Sequence, residues 1–195
     1  MNKLLAMALL TAGLPMSAMA DGGVRGLEHV ALTVPDLAQA RTFFTDGLGC
    51  KSVLTLGPFK DDNGSWMADF IGTHPRAVMN IGVMQCGNAS NIELMEISSP
   101  SQDKKFPDRD DLGASSLGFY VDDLNDSIKQ VKAAGGALLG GVTSVGEGPL
   151  SGRSFIYVRA AWGQQIFLMN DGNGIAYSKQ PDAVKIFSPA DLPVK

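Results

Sequence analysis

The chain is written twice, and that constrains its fold more than any other feature. Leu27-Glu28-His29-Val30-Ala31-Leu32-Thr33-Val34-Pro35-Asp36-Leu37 and Ala114-Ser115-Ser116-Leu117-Gly118-Phe119-Tyr120-Val121-Asp122-Asp123-Leu124 both read as an alternating strand entering a helix, 87 residues apart. Val34 falls on Val121, Asp36 on Asp123 and Leu37 on Leu124, and Gly49 and Gly136, near the helix ends, keep the same offset. A second echo sets Asn91-Ile92-Glu93-Leu94-Met95 against Gln165-Ile166-Phe167-Leu168-Met169 at an offset of 74. The missing 13 residues fall in the stretch around 57–77 of the first half, where Gly57, Pro58, Asp61, Asp62, Asn63, Gly64 and Pro75 suit a long flap.

Within each first strand, alternate residues face opposite ways. Val30, Leu32 and Val34 make an apolar face for packing on helices, and Leu27, His29, Ala31 and Thr33 make the other. Asp36 and Asp123 stand where an N-cap would satisfy the free N–H groups of the next helix. The helices are expected over about 36–47 and 123–134, with Leu37, Ala40, Phe43 and Phe44, then Leu124, Ile128 and Val131, on their buried sides. Three strands follow each, near 50–56, 78–85 and 90–97, then 137–144, 153–159 and 164–169. The prediction is an α+β fold of two βαβββ modules, at about 25–98 and 113–170 within a domain spanning 21–170.

Composition excludes several classes. A net charge of -4 and no cluster of Lys and Arg argue against nucleic acid as a partner. Two cysteines exclude a disulfide-dense scaffold, and two histidines exclude a three-histidine metal site from one chain. Residues 1–20 differ from the rest: Lys3, an apolar run from Leu4 to Leu14, Pro15, then Ala18-Met19-Ala20. This reads as a secretory signal peptide, with an apolar run too short to span a membrane. A periplasmic or secreted protein is expected, with no membrane span once the leader is removed. Cys50 opens the second strand and Cys86 closes the third. Antiparallel pairing would bring them close, so a disulfide and two free thiols both stand open. Residues 171–195, with Pro181, Pro189 and Pro193, read as a C-terminal tail.

The duplicated unit, the segments quoted above and Trp162-Gly163-Gln164-Gln165-Ile166-Phe167-Leu168 together resemble the vicinal oxygen chelate superfamily. That superfamily includes glyoxalase I, methylmalonyl-CoA epimerase, extradiol dioxygenases, and fosfomycin and bleomycin resistance proteins. The resemblance implies two curved half-barrels around a cleft. It also implies four metal ligands, His or Gln and Glu, from the first and last strand of each module. Mn, Fe, Ni or Zn would then act on a small molecule with adjacent oxygens. Some relatives build their sites from paired chains, so a homodimer is open.

Position by position, the resemblance makes His29 and Glu93 the metal ligands and catalytic pair of the first module. Ser116 and Phe167 occupy the matching positions of the second, where the superfamily carries histidine and glutamate. Half the ligand set is absent, which makes the metal site degenerate. His74, on the flap, is the remaining histidine. Without metal, His29 and Glu93 would form an imidazole–carboxylate pair able to exchange protons. Ser116, Tyr120, Gln165 and Phe167 should line the cleft; Arg76 and Arg153 could reach its rim. Met95, Met169, Trp66 and Trp162 would give it an apolar floor or complete the core. The leading expectation is a secreted protein that binds a small, partly apolar molecule between its modules. The rival is a metal-dependent glyoxalase-, epimerase- or dioxygenase-type enzyme using His29 and Glu93.

Overall fold

The computed structural model describes residues 26–87, 90–148 and 150–170. The expected leader and tail lie outside the described residues. The first module is β1 (Val30–Val34), α1 (Leu37–Thr42, continuing as a π-helical stretch over Phe43–Gly47), β2 (Lys51–Lys60), α2 (Trp66–Ile71), β3 (Val78–Cys86) and β4 (Ser90–Ser98). The second is β5 (Ser116–Tyr120), α3 (Leu124–Ala133), β6 (Ala137–Ser144), β7 (Ser154–Arg159) and β8 (Gln165–Met169). Two four-stranded sheets result, ordered β1-β4-β3-β2 and β5-β8-β7-β6. In each, the first strand pairs parallel with the last, and the other pairs are antiparallel.

Both predicted caps form. Asp36 Oδ1 accepts from the Gln39 N–H at 2.8 Å, and Asp123 Oδ1 from the Asp126 N–H at 2.9 Å. Strand register reproduces the internal repeat. Ala31 faces Glu93 across β1 and β4, while Gly118, 87 residues after Ala31, faces Phe167, 74 after Glu93. Val83 faces Glu93 as Tyr157 faces Phe167. A one-residue slip would put each apolar face in water, so the register is fixed by burial.

One core serves both modules. Leu32, Val34, Met84, Ile92 and Leu94 join Leu37, Ala40, Phe43 and Phe44 from the first, and Leu124, Val131, Ile156, Val158, Ile166 and Leu168 come from the second. The rings of Phe43 and Trp162 meet edge-to-face at 5.4 Å, locking the π-helical stretch against the β7–β8 turn. Trp162, considered for the cleft floor, therefore completes the core instead. α1 packs closely over Gly82, where a Cβ would lie 2.9 Å from Leu37 Cδ1 and the leucine tip would have to shift. Cys50 and Cys86 are bonded, tying the start of β2 to the end of β3.

The flap is more ordered than its loop-like composition suggests. β2 runs on to Lys60, and α2 lays the fully buried Met67 against Ala77 and Met79. Phe59, Ile81, Met95 and Ile97 pack around this small second core. Asp61 organises the entry to α2 by accepting from the N–H groups of Asn63, Gly64 and Trp66. Those donors, Gly64 foremost, hold its carboxyl below the usual range. Arg76 donates to the carbonyls of Asp61 and Gly64, so it pins this loop rather than reaching a cleft rim. His74 Nδ1 accepts from the Arg76 N–H at 3.0 Å and shapes the same turn.

Candidate functional site

Each sheet has a core face and an open face. On the first, Ala31, Thr33, Glu93, Met95, Ile81 and Val83 share the open side by register. His29 precedes this strand, because β1 begins at Val30 rather than at Leu27. The Asn91 amide donates to the Glu28 carbonyl at 3.0 Å and holds that approach. His29 Nε2 lies 3.3 Å from Glu93 Oε2, while Nδ1 contacts Glu28 Oε2. One imidazole thus stands between two carboxylates. The hydrogen bond it donates to Glu28 and the charges of both carboxylates raise its pKa against the opposing pull of desolvation. The ring is 41% exposed and Glu93 22%, so both remain accessible.

A cavity of about 330 Å³ opens beside His29. Its walls bring Glu28, His29 and Asn91 of the first module together with Ser116 and Gly118 of the second, over Val30, Ile92, Leu117 and Phe119. Ser116 and His29 therefore meet at one cavity. Glu93 does not line it, and neither do Phe167, Tyr120 and Gln165; of the predicted pair only His29 reaches the cavity wall. Phe167 packs with Phe155 and Tyr157, centroids 5.1 and 4.9 Å away, on the open face of the second sheet. Its ring lies against Gly118, a residue of the cavity wall, where a Cβ would sit 3.6 Å from Phe167 Cδ1. Tyr120 has the Arg153 guanidinium 5.7 Å from its ring centre. Gln165 is buried, with Oε1 unbonded among the described residues.

Arg153 corrects its expected rim position. It is 1% exposed, with Nη1 3.8 Å from Met169 Sδ. A flat guanidinium can be covered by a phenol ring and a thioether, which an ammonium group accommodates less readily. Trp66 is half-exposed and stacks between Phe59 and Phe70, on the flap rather than on the cavity floor. Glu96, on the opposite face from Glu93, accepts from the Leu37 N–H at 3.3 Å and serves the start of α1.

Two residues escaped the sequence reading. Glu28 neighbours His29, and strand alternation would send them to opposite faces; outside β1 that rule lapses and the side chains meet. Arg109, in the 99–115 linker, places its guanidinium 4.0 Å over the Tyr157 ring. No periodic pattern reports a contact between a linker and a strand 48 residues later.

The His29 and Glu93 geometry can be tested against a metal. Two ligands about 2.1 Å from one ion lie roughly 3.0–3.4 Å apart at octahedral or tetrahedral angles. The observed 3.3 Å fits two neighbouring ligand positions. Glu28 on Nδ1 would fix the tautomer that presents the Nε2 lone pair. Among the described residues, no group of three His, Cys, Asp or Glu forms a fuller set. The remaining positions would fall to water or substrate oxygens.

Comparison with known proteins agrees with this architecture. The family described as the Glyoxalase/Bleomycin resistance protein/Dioxygenase superfamily matches residues 28–157. A 2-epi-5-epi-valiolone epimerase from an Actinomyces species is 32% identical over 168 residues, 86% of this chain and 90% of that protein. A glyoxalase family protein from Bacillus cereus superposes with a TM-score of 0.62 at 22% identity, covering 78% of this chain and 98% of its own. A glyoxalase/bleomycin resistance protein/dioxygenase domain from Frankia gives 0.51 at 19% identity, covering 76% and 98%. With the repeat, the register and the family match in agreement, the chain belongs to the glyoxalase/bleomycin resistance protein/dioxygenase superfamily.

Proposed function

We propose that this protein is an epimerase-type enzyme that moves a proton at a carbon beside a carbonyl in a small polyhydroxylated ring. The observation that carries this reading is the 3.3 Å contact between His29 Nε2 and Glu93 Oε2, with His29 in the wall of the inter-module cavity. The likeness to an epimerase along 90% of that protein supports it. Inverting such a carbon requires breaking its C–H bond, leaving the electron pair in an enediol-like system, and returning a proton to the opposite face. That sequence needs a base, an acid and a local store for one proton. Glu93 supplies a carboxylate base. The His29 imidazole, adjacent to it and steadied by Glu28, takes on and stores the abstracted proton; because the two groups touch, they serve one face of the carbon, and the proton returned to the other face comes from solvent in the cavity. His29 and Glu93 would alternatively hold Mn, Fe, Ni or Zn, which would polarise the substrate carbonyl; with Nε2 and the carboxylate so engaged, the pair would not also relay the proton. Ser116, across the cavity, offers a hydroxyl to a substrate oxygen.

Export to the periplasm or the medium belongs to the same proposal, supported by the leader-like residues 1–20 and by the bonded cysteines. Pairing of two chains is compatible with it, since a second copy would bring a second His29 and Glu93.

The test is deuterium exchange from D₂O into 2-epi-5-epi-valiolone, with Mn, Fe, Ni and Zn offered separately. Wild type should exchange, and His29→Ala or Glu93→Gln should be slower by about 10²–10⁴-fold. A second reading, favoured by Ser116 and Phe167, is a binder without catalysis. Thermal stabilisation by the ketone with no exchange under any metal would establish that reading in place of this one.

A further inference from the structure

The linker between the modules carries features that a simple tether does not need. Gln102 Nε2 donates to the Ile97 carbonyl at 2.7 Å, and the Asp108 N–H donates to Asp111 Oδ2 at 2.9 Å. Phe106 seats on the β7–β8 turn, where a Cβ on Gly163 would collide with its ring at 2.6 Å. Gly163 also has φ +113, so two constraints exclude other residues there. Fixed at these points, the linker lies across the open face of the second sheet with Arg109 over Tyr157. Phe155, Tyr157 and Phe167 form one aromatic shelf, and Phe167 is the register partner of Gly118, a residue of the cavity wall.

The guanidinium of Arg109 has no hydrogen bond or ion pair among the described residues. Its position is set by the ring beneath it, which leaves the in-plane N–H donors available. Asp108, Asp110 and Asp111 flank it in the chain, so the local field disfavours an anionic ligand. Neutral hydroxyl groups suit an arginine among carboxylates. The slightly positive C–H face of a saturated ring suits the negative face of an aromatic shelf.

We propose that Arg109, Tyr157 and Phe167 form a specificity subsite for the hydroxylated ring of the substrate, with the linker as a fixed strap over it. The subsite rests on the epimerase reading and deepens it. The first module supplies the proton chemistry and the second supplies ring recognition.

The experiment compares kcat/KM for deuterium exchange into 2-epi-5-epi-valiolone and into dihydroxyacetone, a hydroxyketone with no ring, using the full chain. Arg109→Gln and Tyr157→Leu should each lower the ring-to-dihydroxyacetone ratio at least about tenfold, mainly through KM for the ring. Tyr157→Phe keeps the aromatic face and should recover the ratio lost in Tyr157→Leu, which a generally destabilised protein would not do. If wild type exchanges both ketones and the ratio is unmoved by these variants, the subsite is wrong and the epimerase reading stands. If wild type exchanges neither, that reading fails and the subsite fails with it.

Discussion

The two open faces are the same surface built from different residues. Where the first module has Glu93, Val83, Ile81 and Ala31, register puts Phe167, Tyr157, Phe155 and Gly118 in the second. His29 is matched by Ser116. The backbone frame is duplicated, yet one copy carries an imidazole–carboxylate pair and the other an aromatic shelf. Each face also has its own partial cover: α2 seats Met67 on the first, and the linker brings Arg109 over the second. In this superfamily's frame, chemistry is decided by a few side chains on one face of each sheet, while the opposite faces keep the fold.

The largest difference in stability should come from the bonded cysteines, which only the first module has. They close a loop with a sequence separation of 36, for which chain-entropy arguments give about 4 kcal/mol. The Cys50→Ser/Cys86→Ser double variant should lose about 2–4 kcal/mol in denaturant unfolding, with β2 and β3 exchanging their amides first. Equal loss of protection in both modules would mean that the staple supports the shared core rather than its own hairpin.

Converting the second face into a copy of the first is the sharper test of equivalence. The Ser116→His/Phe167→Glu double variant should bind Zn or Mn at least about a hundredfold more tightly than wild type by calorimetry, since two added ligands complete a four-ligand set. Unchanged affinity would show that the matched positions do not converge on His29 and Glu93.

The helix caps probe symmetry instead of difference. Asp36→Ala and Asp123→Ala should each cost about 1 kcal/mol, because both carboxylates accept the same kind of backbone bond. A disparity much larger than that would show unequal dependence of the two modules on their helices.

The smallest effect concerns pH. The His29 pKa is raised above 6.5 in the folded chain, first through Glu28. The associated stability is fully present below the unfolded value and fades as pH rises through the folded one. In Glu28→Gln, the NMR titration midpoint of His29 should fall toward its ordinary value. A midpoint that does not move would remove Glu28 from the description of the site.

Much of this was legible from periodicity. The offsets of 87 and 74 in the sequence became the strand registers themselves, and Asp36 and Asp123 cap where they were expected. The misses share a physical cause, in that they depend on tertiary contact. A six-residue helix such as α2 is too short to show a period, and Met67 on Met79 is what holds it. The burial of Arg153 depends on Tyr120 and Met169, distant in the chain. His29 and Glu28 come together because the strand starts at Val30, three residues later than the alternating pattern suggests.

The shared core also has a bearing on heredity. Phe43 and Phe44 of one copy rest on Trp162 of the other, so neither half keeps its packing if it is lost or exchanged alone. The duplicated unit is therefore inherited as one piece, its inner faces bound to each other. The outer faces carry no such debt, and a second copy could trade a metal ligand for an aromatic ring without unfolding the first.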